Sequence, residues 1–329
     1  MLSTQWIKVR TFTSVEEGSI KGFILKRLSL LPLLLCGITL LCFFLLKALP
    51  GDPVAGLVGE RASPEAIERI RKEIGEDRGF MTQYLGYMML LARGNFGRSY
   101  YTNREVLGDI LSKLPNTLKL AVAAMSVAVP VGMALGLVAA YRRRGFTVWA
   151  YEAVSVGGVS VPVFWSAIML MLLMSLELKL LPPSGTGGLK FIVLPAVVLS
   201  LPALATIARV TRTAVLEIIS MPYVKTARAK GLRPRRISLL HVLRNALIPI
   251  VTVVGLDFGS YLNGAVVTET IFGWDGIGRF TMEGIVKRDY PVILGCVIAG
   301  TVIFVCVNLL TDILYHLLDP RIRTHDKER

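Results

Sequence analysis

Charge is scarce in this chain: Asp, Glu, Lys and Arg make up 18% of its 329 residues, where a soluble domain carries about 25%. Acids are the scarcer sign, 23 against 37 basic residues, which leaves a formal net charge of +14. Cysteine and histidine number only 4 and 3. Cys36, Cys42, Cys296 and Cys306 sit inside apolar runs without zinc-ligand spacing, and His241, His316 and His325 are isolated, so no metal site is expected. The phosphate-cradling G-x-x-x-x-G-K-[ST] loop is missing and the dipeptide Gly-Lys occurs nowhere. GWDGIG at 273–278 has the wrong glycine spacing for a dinucleotide fingerprint. No cofactor is expected, and any ATP hydrolysis must come from another polypeptide. An intramembrane enzyme would need paired acids, a His-rich helix or a nucleophile with its base, and the lone Asp257 offers no such set.

Apolar residues, by contrast, make up 53% of the chain and come in long blocks. Six runs, at 28–48, 114–140, 151–176, 189–208, 247–268 and 292–318, each hold about 20 or more mostly apolar residues. That length lets a helix at 1.5 Å per residue cross ~30 Å of hydrocarbon while satisfying its own backbone. A barrel would show shorter, alternating segments. The expected fold is an all-α membrane protein with six transmembrane helices. The first run follows Lys26-Arg27, exceeds the length of a secretion-signal core and has no small-x-small cleavage site after it, so it reads as an uncleaved anchor.

The basic residues set the orientation, because in short loops they stay in the cytoplasm. Residues 1–29 carry five, 141–150 carry Arg142-Arg143-Arg144, 209–246 carry nine against the single acid Glu217, and 319–329 carry four. The alternate segments are near neutral: 49–113 hold nine of each sign, and 269–291 hold three basic and four acidic residues. Both termini are therefore expected inside. The segments follow: 1–27 cytoplasmic; 28–113 a first helix with a large external loop; 114–318 a five-helix core with a cytoplasmic loop at 209–246; 319–329 a cytoplasmic tail.

That cytoplasmic loop contains YVKTARAKGLRPRR, residues 223–236, with six basic side chains in 14 positions. Tyr223 is its only aromatic, whereas a nucleic-acid face interleaves aromatics for stacking, so no nucleic acid is expected as a partner. Pro222 suits the first turn of a helix, Tyr223–Lys230 are good helix formers, Gly231 suits the left-handed position after it, and Pro234 blocks continuation. The result is a helix of about two turns, too short to stand alone in water. It must pack on something. Its small residues Ala227 and Ala229 suit close approach of another surface, and Arg228 and Lys230 suit carboxylates there. An amphipathic turn lying on membrane lipid headgroups is the other reading of the same residues.

YVKTARAKGL followed by HVLRNALIPIVTVVG resembles the cytoplasmic loop of bacterial ABC-importer permeases of the dipeptide/oligopeptide/nickel type. LPGDPVAGLVG, GNFGRSY, LPNTLKLA, VSVPVFW, TETIFGWDGIGR, RDYPVILG and NLLTDILYHLLDPRIR are similar to that family's segments in the same order. Departures include Lys225-Thr226-Ala227 for the broader motif's Glu-Ala-Ala, Pro222 for an acid, Asp275 for the Pro of Trp-Pro-Gly, and Ile74-Gly75-Glu76-Asp77 for Leu-Gly-Leu-Asp. The resemblance implies the type I importer permease fold. It implies a second related permease, two ATP-binding subunits inside and an extracytoplasmic solute-binding protein. The short helix becomes a coupling helix, comprising Lys225, Thr226, Ala227, Arg228, Ala229, Lys230 and Gly231. Peptides are the expected cargo, with nickel chelates or oligosaccharides as alternatives. An ion-coupled carrier or channel working alone is the rival class.

On the outer side, Ser63-Pro64-Glu65 starts a helix that Gly75 ends, and 80–92 is apolar but too short to span, which suits the interface. This loop is either a landing surface for a delivering protein or a scaffold over the spans. Residues 269–291 either re-enter the pore mouth or turn at the surface. Asp257, half-way along the fifth run, either lines the pathway or pairs with another helix. Asp312 and Asn308 are placed to meet Arg209 or Arg212. Gly132-x-x-x-Gly136 reads as a close helix crossing.

Overall fold

A computed structural model describes residues 20–48, 64–73, 75, 77–142 and 144–318, and everything regular among them is helical. In chain order the helices are α1 (Ile20–Ala48), α2 (Pro64–Glu73), α3 (Phe80–Ala92), α4 (Val106–Tyr141), α5 (Phe146–Ser160) and α6 (Val163–Met171). There follow α7 (Leu189–Ile219), α8 (Pro222–Ala229), α9 (Pro234–Leu262), α10 (Val266–Ile271), α11 (Ile277–Lys287) and α12 (Tyr290–Leu318). Five helices are long and apolar enough to cross a membrane, and α5 with α6 makes a sixth crossing if the bent pair is one span.

The third run is not one rod. Phe146–Ser160 and Val163–Glu177 meet at 108°. The cause is Pro162, which lacks an N–H and forces Val161 into an extended conformation (φ −83°, ψ 123°). The fifth run is carried by α9, which begins at Pro234 in the cytoplasmic loop and stops at Leu262, before the expected end at Thr268. Gly264 stops it, with φ +112° and a Cα so close to α11 that an added Cβ would lie 2.8 Å from the Gly278 Cα. The second and fourth helices overrun their apolar runs, α4 at its outer end and α7 into the cytoplasm.

The core is built around α7. Ala203, Ala205, Ile207, Ala208 and Val215 are all but inaccessible, and α4 crosses this helix at Gly132 and Gly136. A Cβ on Gly136 would stand 2.4 Å from the Ala208 carbonyl oxygen and 2.7 Å from the Thr211 Cβ; one on Gly132 would stand 2.9 Å from the Leu204 oxygen. Without water to squeeze out, helix association in lipid depends on such close backbone approach. Gly136→Val drives three heavy atoms into backbone, a clash that costs at least the ~1–3 kcal/mol of ordinary overpacking. It should lower the melting temperature of the purified chain by several degrees, whereas Gly86→Val, in open space on α3, should leave it near its starting value.

α1 is the least enclosed span and packs along α12. α3 lies against its outer half: the Phe43 ring meets those of Phe80 and Tyr84 at 5.3 and 5.9 Å, and the Tyr84 hydroxyl donates to the Cys36 carbonyl at 3.0 Å. Met81, Leu85 and Met89, one turn apart on α3, remain exposed. The expected helix from Pro64 is α2, and Gly75 follows it with φ +73°; the side chains of Ile67, Ile70 and Ile74 lie outside the described residues.

Candidate functional site

α8 begins where Met221 turns extended and Pro222 takes the first helical position. It ends as Gly231 adopts φ +73°, its N–H meeting the Arg228 carbonyl at 2.9 Å while Leu232 N–H reaches the Ala227 carbonyl at 3.3 Å. These bonds satisfy the carbonyls that a helix end leaves open. The inner face is apolar. Val224 and Ala227 are 0% and 7% exposed and pack with Val215 and Ile218 of α7 and Ile237, Val242 and Ala246 of α9. The outer face carries Lys225, Thr226, Arg228, Ala229 and Lys230, all exposed, with Gly231 beyond them.

Ala227 therefore departs from its expected role. The small side chain suits the close approach of a partner, yet it faces the chain's own spans. A period of 3.6 places it one turn below Val224, on the side opposite Ala229. A second tie fixes α8 to α9. Asn245 Nδ2 donates to the Tyr223 hydroxyl at 2.9 Å and to the His241 carbonyl at 2.8 Å, while the Tyr223 hydroxyl donates to that carbonyl at 3.3 Å. His241 lies in the wide π-helical turns of Ile237–Leu243, where the regular backbone ladder is interrupted and side chains take up the freed carbonyls. So α8 is clamped between α7 and α9 and cannot move without them. Tyr223→Phe with Asn245→Ala removes the clamp but keeps the apolar contact; the α8 amides of the purified chain should exchange hydrogen several-fold faster, with chain abundance little changed.

At the outer end, α10 and α11 fold over the start of α4. Glu269 is fully buried. Its Oε1 accepts from the Thr117 hydroxyl at 2.8 Å, its Oε2 from the Arg279 N–H at 3.0 Å, and the Thr117 oxygen accepts from the Ile277 N–H at 2.9 Å. A Cβ on Gly276 would lie 2.4 Å from Oε1, so the glycine is needed for the backbone to close over the carboxylate. The N-terminus of α11 supplies the donors and the favourable end of its dipole. Burial still pushes the Glu269 carboxyl above the usual glutamate range, opposed by the Arg279 N–H and the Thr117 hydroxyl. Trp274 Nε1 donates to the Asn116 carbonyl at 3.0 Å and Asn116 Nδ2 to the Asp275 carbonyl at 2.8 Å. Asp275, which stands where the resembling family has Pro, forms an ion pair with Lys113. Nearby, Asp289 accepts from the Ser99 hydroxyl at 2.6 Å and the Tyr100 N–H at 3.2 Å, tying the GNFGRSY turn to the start of α12. Sequence reasoning passed over Glu269; the signal available was an acid seven and nine residues before two closely spaced glycines.

Asp257 sits on α9, five residues before its outer end at Leu262, half-buried, with Oδ2 meeting no hydrogen-bond partner among the described residues. Asp312 pairs with Arg27 of α1 rather than with Arg209 or Arg212. The Arg212 guanidinium instead lies over the Tyr151 ring at 5.2 Å. Arg27 wins because α1 packs along α12 and brings its basic end alongside.

A bundle of apolar helices with a broken third crossing, a surface cationic rod between two spans and a helical cover over the outer end defines a polytopic membrane transport subunit. The fold agrees with a chain of the MetNI methionine ABC transporter in an inward-facing conformation. The match covers 65% of this chain and 97% of that one, with TM-score 0.52 at 17% identity, and this is the type I importer permease fold. Residues 132–324 match the family described as "binding-protein-dependent transport system inner membrane component", and residues 20–121 match its N-terminal domain. The chain belongs to that family of multi-pass inner-membrane proteins. Among curated relatives, it is 41% identical to a di/tripeptide transport system permease protein of Pseudomonas aeruginosa, over 92% of this chain and 98% of that one. It is 38% identical to a dipeptide transport system permease protein of Escherichia coli, with the same coverage. Identity with a dipeptide permease of Alkalihalophilus pseudofirmus is 36%, over 92% of this chain and 99% of that one.

Proposed function

We propose that this chain forms half of the translocation pathway of an ATP-driven importer of short peptides, with α8 as the element through which ATP-binding subunits move it. The observation that carries the mechanical part is the two-sidedness of α8. Its basic face, Lys225, Arg228 and Lys230, is open to a partner, while Val224, Ala227 and Tyr223 lock the other side to α7 and α9. The chain carries no phosphate loop of its own, so hydrolysis belongs to two partner subunits and this one is not catalytic. Their closure on nucleotide pushes α8; α7 and α9 tilt with it, and access to the pathway alternates. A second, related permease supplies the other half of the pathway, and a binding protein delivers cargo to the outer cover of α10 and α11.

Peptide cargo is supported by the 41% and 38% identity, along nearly the whole chain, to permeases named for dipeptides and tripeptides. Reconstitution with the partner permease, both ATP-binding subunits and the binding protein should give ATP-dependent accumulation of a labelled dipeptide. The chain alone in liposomes should give no flux. Flux from the chain alone would establish a self-sufficient carrier or channel instead, and accumulation of nickel chelates or oligosaccharides but not dipeptide would overturn the cargo assignment.

A further inference from the structure

An ionised carboxylate is costly inside a membrane and normally faces a water-filled path or an opposite charge. Among the described residues Asp257 meets no opposite charge: Oδ2 has no hydrogen-bond donor, and no ion pair involves it. Its surroundings on α9 indicate where the missing partner comes from. Gly255 and Gly259 are pressed against α12, where added Cβ atoms would lie 2.1 Å from the Thr311 hydroxyl oxygen and 3.2 Å from the Phe304 ring. Ile250 and Tyr261 turn toward α4 and α7, the Tyr261 hydroxyl donating to the Leu199 carbonyl at 2.7 Å. The remaining face is an exposed line of Thr252, Leu256, Ser260 and Asn263 at helical spacing, and Asp257, half-buried, lies between that line and the side of Ile250 and Tyr261.

That line differs from a lipid-facing one. Beyond Ser29 at its inner end and the Cys36 thiol, the exposed side chains described on α1 are apolar, Leu33, Leu34, Leu40, Leu41, Phe44 and Leu45 among them. Three of the four exposed positions on this part of α9 carry a hydroxyl or an amide. Polar side chains in a membrane helix gather where water or a polar cargo passes. The line also ends at Asn263, directly below the cover in which Trp274 packs with Tyr261 and Ala265. Cargo admitted past that cover would meet Asp257 as the first acid along this helix.

We propose that Asp257 is a cargo-contacting site in the pathway and takes the protonated amino group of a peptide as it passes. This rests on the importer reading above and adds to it a specific contact, with the chemistry of an alkylammonium: one positive charge and three N–H donors for a carboxylate. Thr252 and Ser260, on either side along the exposed line, supply hydroxyls that tolerate many peptide backbones.

The test uses the complete transporter in proteoliposomes with its binding protein and labelled alanyl-alanine as the probe. With Asp257→Asn, uptake per ATP hydrolysed should fall at least ten-fold, all subunits should still co-purify, and Asp257→Glu should recover a substantial part of the uptake. Two results would overturn the inference: Asp257→Asn transporting as well as the unsubstituted complex, or Asp257→Asn shedding its partner permease, since the carboxylate then pairs with a cation of that partner. Failure of the unsubstituted complex to accumulate the dipeptide would instead sink the peptide-importer reading itself, and with it the ammonium as cargo group.

Discussion

Reversing the charge of the exposed face of α8, with Lys225→Glu and Arg228→Glu together, should abolish uptake by the assembled transporter while leaving the chain in the membrane at normal abundance. Both side chains are exposed, and surface charges away from a special feature change stability by only about 0.5 kcal/mol. On the proposed coupling role, in which this basic face meets carboxylates of an ATP-binding subunit, the two acids would turn attraction into repulsion, which costs several kcal/mol at an interface. Every ~1.4 kcal/mol is a factor of ten, so a loss of a hundred-fold or more is expected. ATP turnover should no longer respond to loaded binding protein. Ala229→Glu, on the same face, should behave in the same way with a smaller effect. Ala227→Glu is the contrast. It buries a carboxylate among Val215, Ile218 and Val242, where an unpaired charge costs several kcal/mol. The chain itself should then be lost from the membrane. Abundance by immunoblot and uptake by filter assay separate the two outcomes, and equal abundance for Ala227→Glu and Arg228→Glu would show that the two faces of α8 have been exchanged.

The second large effect belongs to Glu269. Glu269→Ala leaves the Thr117 hydroxyl and the Arg279 N–H without acceptors in a buried place, at about 1–3 kcal/mol each, and opens a cavity beneath Gly276 and Gly278. A fall in melting temperature on the order of 10 °C is expected for the purified chain, together with loss of uptake, because the cover formed by α10 and α11 loses the group it folds around. Thr117→Val should cost less on the Glu269→Ala background than alone, because the Thr117–Glu269 bond is already gone and only the acceptor of the Ile277 N–H is then lost.

The carboxyl also titrates in a defined direction. Burial raises its folded pKa above the usual glutamate range, so the folded chain holds its proton to higher pH than the unfolded chain. Stability is therefore highest below that range and declines as pH rises through the folded value, then levels off. Glu269→Gln should flatten this part of the melting-temperature profile.

α8 was legible almost to the residue, because its two ends are written in local backbone chemistry. Pro222 suits a first turn, and Gly231 accepts φ +73° without strain. The chain's family was legible through the run from Tyr223 to Gly231 together with the segments that follow. Which face points inward was not legible, since Ala227 and Ala229 are the same residue type, and burial is set by α7 and the π-helical turns of α9. The number of crossings could be counted from hydropathy, but the bend at Pro162 could not. Apolar residues continue on both sides of it, and proline is tolerated in membrane helices. The least legible feature was the Glu269 cluster, whose partner Thr117 lies 152 positions away. The pairing of Asp312 with Arg27, at opposite ends of the chain, escaped for the same reason. Local signals place helices and their ends; contacts made across the whole chain depend on how the helices are finally arranged.

The most direct measurement of the central claim is cross-linking from α8 in the complete transporter. A single Cys at Ala229, read with a short bifunctional reagent from the cytoplasmic side, should join this chain to an ATP-binding subunit with a yield that changes between nucleotide-free and ATP-bound states, and the joined complex should not transport. A Cys at that position modified by an impermeant reagent from outside the cell, with no product linked to an ATP-binding subunit in either state, would contradict the account.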